Sequence, residues 1–320
     1  MKFNLKNLKQ STRKYRHAFL IAFLQIFQKS IQFLPKIILQ ILSIMMVPFA
    51  CLFAIKSTYQ IYQNLKVAKI YYQTKSISSK THSQITWLSK PLLILVLKVW
   101  YRLFSRFFSF LTFDHIQALD MQKQLQSPNV QVEIENLKTN KDPHIIITAH
   151  LGNWEVLAMT LAGLGLKIQA VAGGKSDQPL LRFLKDYRLK HGVYTYQRGE
   201  IREILKQLSM GHHIIFLVDL LALSESNKDQ KNQTHTQRCA FLGKHLKVSN
   251  LVDRIAHTAK AKRSLFILGA NGYQIKSLKN DENAIESVYE QLENELKDEN
   301  RLIDWIWIHR LFNQESIDQD

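Results

Sequence analysis

His144-Ile145-Ile146-Ile147-Thr148-Ala149-His150-Leu151-Gly152-Asn153-Trp154-Glu155 decides the fold. The run His144–Ala149 is short, apolar and β-branched, which suits a strand buried on both faces. Gly152 permits a sharp turn, and Asn153 is a good helix N-cap. Glu155 then falls in the first turn of an apolar helix. A buried strand followed at once by a helix is half of a βαβ unit. Further apolar runs at Lys167–Ala172, Ile214–Val218 and Leu265–Leu268 predict more strands of the same kind. Between them, Ile201, Ile204, Leu205 and Leu208 form one helical face, and Ile285, Val288, Leu292 and Leu296 form another. This alternation implies an α/β domain with a mixed, largely parallel sheet flanked by helices. Its span is 140–313. The polar stretch Ser224–Gln237 is expected to be a long loop.

In open α/β sheets, ligands gather at the C-terminal ends of the strands, which is where this reading puts His150. His150 and Glu155 lie five apart across a tight turn. The carboxylate is therefore expected to hold one imidazole nitrogen, leaving the other to take a proton from an alcohol. Spacing alone is weak support, because a chain with 12 His and 26 acids contains such pairs by chance. His115 and Asp120 are one such pair. They lack the strand, the glycine turn and the N-cap, and are set aside as a decoy. No Gly-x-Ser-x-Gly elbow, metal-ligand spacing or phosphate-binding glycine loop occurs, so neither metal nor cofactor is expected. Cys51 and Cys239 give no disulfide framework.

Charge is distributed very unevenly. The chain has 43 Lys+Arg against 26 Asp+Glu, and its first acid is Asp114. Residues 1–113 hold 17 of the basic residues and no acid, so the remainder, with 26 of each sign, is neutral. Basic residues interleaved with long apolar runs point to an anionic lipid surface and away from nucleic acid.

Ile37 to Ile55 contains no charged residue and is just long enough to cross a bilayer as a helix. Lys56, Lys66 and Lys69 follow it, and bases on both flanks also suit a segment lying in one leaflet. The positive-inside rule places the N-terminus in the cytoplasm. Farther on, Lys98, Arg102 and Arg106 recur every four residues and form one stripe of a helix. They are expected to reach lipid phosphates while the apolar face enters the acyl layer. Residues 1–113 are thus expected to form a membrane-associating helical region.

The HLGNWE segment, 150–155, resembles that of the lipid A biosynthesis late acyltransferases, with the phosphatidylinositol mannoside acyltransferases as relatives. The likeness continues in order. It takes in Asp177-Gln-Pro-Leu180 through Arg188, Gly192 and Arg198, then Gly211–Asp219, Phe241-Leu-Gly243, and Trp305-Ile-Trp307-Ile-His309-Arg310. It covers about 144–312.

The resemblance implies a glycerolipid acyltransferase-like fold and O-acyl transfer to a lipid A precursor or similar glycolipid. The acyl donor would be acyl-carrier protein or acyl-CoA, and the site would be the cytoplasmic side of the inner membrane. It casts His150 as general base and Glu155 as its partner, with Asn153, Arg198 and Asp219 as substrate contacts. Arg198 would steady an oxyanion or a phosphate. Trp305, Trp307 and His309 are expected to pack. The sequence departs from the family pattern at Leu220–Leu223, at Leu242 and at Leu302-Ile-Asp304, where acceptor contacts would fall. Two alternatives therefore stay open: another lipid acceptor, or a non-catalytic lipid-binding protein.

Overall fold

The computed structural model describes residues 5–78, 85–113, 115–139, 142–172, 179–197, 199–219, 236–309 and 312. Its first part is helical: α1 (Leu5–Ile31), α2 (Lys36–Phe53), α3 (Ile55–Ser78), a 3-10 turn (Thr86–Ser89), α4 (Leu92–Leu111), α5 (His115–Gln124) and α6 (Pro128–Thr139). Strands and helices then alternate: β1 (His144–Thr148), α7 (Trp154–Gly163), β2 (Ile168–Ala172), α8 (Pro179–Lys190), β3 (Tyr194–Gln197), α9 (Ile201–Ser209) and β4 (His213–Leu217). A hairpin, β5 (Thr236–Phe241) and β6 (Lys244–Ser249), leads to α10 (Leu251–Ala259), β7 (Lys262–Gly269), β8 (Gly272–Leu278), α11 (Ala284–Glu295) and α12 (Glu299–Asp304).

Six strands form one sheet in the order β3-β2-β4-β1-β7-β8. Every pairing in it is parallel except β7 with β8. The α/β expectation holds, and each of the four expected strands is present. β1 lies near the centre with all five residues buried, so a continuous Ile145-Ile146-Ile147 run satisfies both faces at once. β3, β8 and the hairpin were not anticipated. β3 and β8 are the two edge strands. β8 carries exposed Gln274, Lys276 and Ser277, and the hairpin carries Arg238, Lys244 and His245, so their apolar signal is diluted. Of the expected loop Ser224–Gln237, residues 224–235 lie outside the described residues, while 236–237 begin β5.

The N-terminal helices share one continuous hydrophobic core with the sheet. They also grip the C-terminal segment by polar bonds. Asn64 Nδ2, fully buried, donates to the carbonyls of Trp307 (2.7 Å) and His309 (2.8 Å). Trp87 Nε1 donates to those of Leu296 and Lys297, and Tyr72 Oη to that of Glu293. α2 is different. It is the one helix among the described residues long and apolar enough to cross a membrane, and only 22% of it is buried. Ile37, Ile41, Ile44, Met45, Phe49, Leu52 and Phe53 are all exposed.

The basic stripe of α4 departs from expectation. Lys98 Nζ bonds Glu299 Oε1 at 2.5 Å, and Arg102 and Arg106 both reach Asp304. The stripe faces α12; Arg106 is nearly closed off there, while Lys98 and Arg102 keep 40% and 37% of their side chains exposed. Two buried carboxylates need cations more than a phosphate layer does, because unpaired charge in a protein interior is costly. The packing makes α4 a core helix whose basic edge is turned to α12.

His144, at the start of β1, gives a pH test of this core. Its Nε2 lies 2.9 Å from Ser264 Oγ, which in turn donates to Glu133 Oε1. Burial pushes its pKa down from 6.5 to about 4, against the raising effect of Glu133. The folded protein therefore holds His144 neutral, while the unfolded chain takes up a proton below its ordinary value. The stability this contributes is complete above pH about 6.5 and drains away as pH falls towards about 4. Chemical denaturation across that window should show the decline, and His144→Gln should make it shallower, with the remainder carried by histidines such as His213 that burial also holds below their ordinary value.

Candidate active site

The register between β1 and β4 builds the site. His144 pairs with His213 and Thr148 with Leu217, a constant offset, and Val218 N continues the ladder to Thr148 O at 3.2 Å. Carried two residues further, the same offset sets His150 opposite Asp219. Both oxygens of Asp219 turn to it: Oδ1 lies 2.8 Å from His150 Nδ1, and Oδ2 accepts the His150 backbone N–H at 2.8 Å. Trp305 Nε1 donates to Oδ2 at 2.6 Å, and Tyr289 Oη donates to the Asp219 carbonyl at 2.9 Å.

Asp219 is wholly buried, and burial alone would raise its pKa. The imidazole beside it and the donors from Trp305 and the His150 backbone outweigh that and hold the carboxyl below its ordinary value. An ionised Asp219 is acceptor-only, so Nδ1 carries a proton, and in the neutral ring Nε2 carries the lone pair. Nε2 has no hydrogen-bond partner among the described residues, and the imidazole side chain keeps 19% of its surface open. The ring is flanked edge-on by Trp154 (centroids 4.8 Å) and, farther off, by a tilted His309 ring (6.3 Å).

This geometry corrects the expected pairing. Glu155 does sit in the first turn of α7, but its carboxylate is taken by Arg188 of α8, whose Nε bonds Oε2 at 2.7 Å and whose Nη2 bonds Oε1. The fork is bidentate. Burial lowers the Arg188 pKa, and Glu155 more than reverses the effect. The residue that grips the imidazole is Asp219, for which the resemblance implies a substrate contact. With both oxygens engaged and no exposed surface, Asp219 faces His150 instead. A neighbouring parallel strand delivers a residue directly across from His150, whereas a residue one turn into the following helix projects along that helix.

Asn153 caps α7 as expected, Oδ1 accepting from Val156 N at 3.4 Å. Its Nδ2 donates to Ser109 Oγ of α4 at 3.1 Å, so the turn is pinned to the N-terminal helices. Gly152 has φ +73°, and a Cβ there would lie 2.3 Å from Leu268 Cδ2. Arg198, Arg310 and the Asp177-Gln178 start of the second resembling segment lie outside the described residues. The decoy pair comes apart on its carboxylate side, because Asp120 binds Lys36 at 3.3 Å. Trp305 and Trp307 pack as expected, at 4.5 Å between centroids, but Trp305 also serves the site through Asp219. Nothing in its spacing signals that role; only the resemblance marks the segment. Among the described residues no group of three or more His, Cys, Asp or Glu could hold a metal ion.

The sequence matches the model of the bacterial lipid A biosynthesis acyltransferase family over residues 94–314. The chain belongs to that family. The match begins within α4 and takes in the whole sheet, His150, Asp219 and Trp305, so it reaches further towards the N-terminus than the motif resemblance did. No curated protein was found to match the chain. As a member of this family the protein is an acyltransferase acting on a lipid substrate.

The acyltransferase site depends on the Gly152 turn. Gly152→Ala is expected to cost about 1–2 kcal/mol, from the left-handed backbone alone, with more added by the Leu268 contact. Denaturant unfolding would measure it.

Proposed function

We propose that this acyltransferase moves a fatty acyl group from acyl-carrier protein or acyl-CoA to a hydroxyl of a lipid A precursor or similar glycolipid, with His150 as general base. The observation carrying this reading is the His150–Asp219 contact at 2.8 Å, which leaves Nε2 unengaged at the C-terminal end of the sheet. In the proposed step the acceptor hydroxyl gives its proton to Nε2 as its oxygen attacks the thioester carbonyl carbon. The tetrahedral intermediate collapses, the C–S bond breaks, and the imidazolium returns the proton to the departing thiolate. The products are an ester and a free thiol, with no covalent enzyme intermediate. Asp219 stabilises the imidazolium while it exists, and Trp305 and Tyr289 keep Asp219 aimed. We assign Glu155 to positioning: it holds Arg188 and so ties α7 to α8. Arg198 remains our candidate for steadying the oxyanion or a substrate phosphate.

The exposed apolar face of α2 and the basic excess of residues 1–113 support action at the cytoplasmic face of the inner membrane. In this reading residues 1–113 associate with the membrane and 140–313 carry the chemistry.

Acyl transfer in isolated membranes, with a labelled acyl donor, tests the proposal. His150→Ala and Asp219→Asn should each slow transfer by about 10²–10⁴-fold with the protein still folded. Glu155→Gln should retain much more activity and show its main effect as lost stability, of about 1–3 kcal/mol. Full activity in His150→Ala would sink the mechanism. A folded Glu155→Gln protein as inactive as His150→Ala would return the base-partner role to Glu155. In cells, deleting the gene should remove one acyl chain from lipid A by mass spectrometry; unchanged lipid A would point to another acceptor.

A further inference from the structure

Three guanidinium groups converge on a single carboxylate beside the active-site turn. Asp304 Oδ1 lies 3.4 Å from Arg102 Nε and 2.5 Å from Arg106 Nη2, and its Oδ2 lies 3.8 Å from Arg301 Nη1. One carboxylate neutralises one cation, so the cluster retains an excess of positive charge. The contacts are at ion-pair distance but leave donors unused. Arg102 Nε, Arg106 Nη1 and Arg301 Nε are buried without a hydrogen-bond partner, while Arg106 Nη2 is engaged by Asp304. Buried N–H groups left unpaired are costly, and more so when charged. Burial and the nearby Arg102 lower the Arg106 pKa, Asp304 only partly offsets them, and the guanidinium stays charged.

These arginines line a cavity of about 930 Å³. Arg102, Ser105, Arg106 and Ser109 follow one another at helical spacing on the face of α4 that borders it, and Asn153 completes this wall. Ser109 Oγ accepts from Asn153, so its own hydroxyl proton remains available. Asp120, on the far wall, is already countered by Lys36 (3.3 Å) and Lys123 (3.8 Å). Phe33–Lys36, the connection into exposed, apolar α2, also line it. The cavity also touches Gly152 and Val156. Arg106 stacks over Trp154 at 5.8 Å, and Trp154 packs on His150. An anion held here would lie one aromatic ring away from the imidazole.

We infer that this cavity binds a phosphate monoester, held by Arg102, Arg106 and Arg301 with hydroxyl donors from α4. A tetrahedral oxyanion supplies several acceptors at once, which suits a cluster of forked donors better than a single further carboxylate. The lining contributed by the connection into α2 fits a phosphate carried on a lipid headgroup. That identification of the ligand with the acceptor lipid rests on the function proposed above.

The test titrates the full-length protein, in neutral detergent, with monododecyl phosphate and separately with inorganic phosphate, by calorimetry. Saturable binding is expected, weakened about tenfold or more in Arg102→Gln and partly restored in Arg102→Lys. Asp304→Asn removes the competing carboxylate and should tighten binding, a change in the opposite direction that misfolding would not mimic. Tighter binding of the alkyl phosphate than of inorganic phosphate assigns the site to a lipid headgroup. Equal affinities assign it to a soluble phosphate ester. No binding, or binding undiminished in Arg102→Gln, overturns the site and leaves the cluster as an internal brace around Asp304. The same titration on His150→Ala should be unchanged. Binding can therefore succeed even if acyl transfer fails, and the two proposals fall separately.

Discussion

The pairing of β1 with β4 in one fixed parallel register is the constraint on which the rest depends. It sets His150 across from Asp219 and allows a carboxylate with no solvent exposure to remain ionised. A buried carboxylate is tolerated only when its acceptor sites are filled, and here His150, its own backbone N–H and Trp305 fill them. A slip of one residue would turn one of the two side chains to the opposite face of the sheet and leave the charge unpaired. The dyad is therefore a consequence of the sheet, and the sheet is held in that register by the fully buried isoleucines of β1.

The C-terminal segment and the N-terminal helices close around this pair together. Trp305 reaches Asp219 from just beyond α12, and α3 holds the same segment through the two bonds from Asn64. Asn153, which starts α7, is bonded to Ser109 of α4. The basic N-terminal third is thus more than an attachment to a catalytic domain, since it supplies walls and anchors for the site itself. Its charge has two destinations. Lys98, Arg102 and Arg106 are drawn inward by Glu299 and Asp304, while the apolar face left open belongs to α2. Of the features expected of a lipid-facing region, the basic stripe of α4 is turned to α12, and the open apolar face is that of α2.

Sequence by itself determined the α/β architecture, the central strands, the glycine turn, the Asn153 cap and His150 as the residue at the mouth of the sheet. Each of these is written in local signals, such as apolar runs, turn chemistry and helical periodicity, that hold whatever the surrounding fold. The edge strands escaped notice because their solvent-facing polar residues erase the apolar run. The partner of His150 escaped for a different reason. Glu155 is five residues away along the chain and Asp219 is sixty-nine, and only the parallel register makes the second the nearer in space. The same holds for Trp305, and for the three arginines that meet at Asp304 from α4 and α12. Local sequence fixes which residue types can do chemistry, but which of them touch is decided by long-range packing, where contacts are set by strand register and helix contact and leave no local trace.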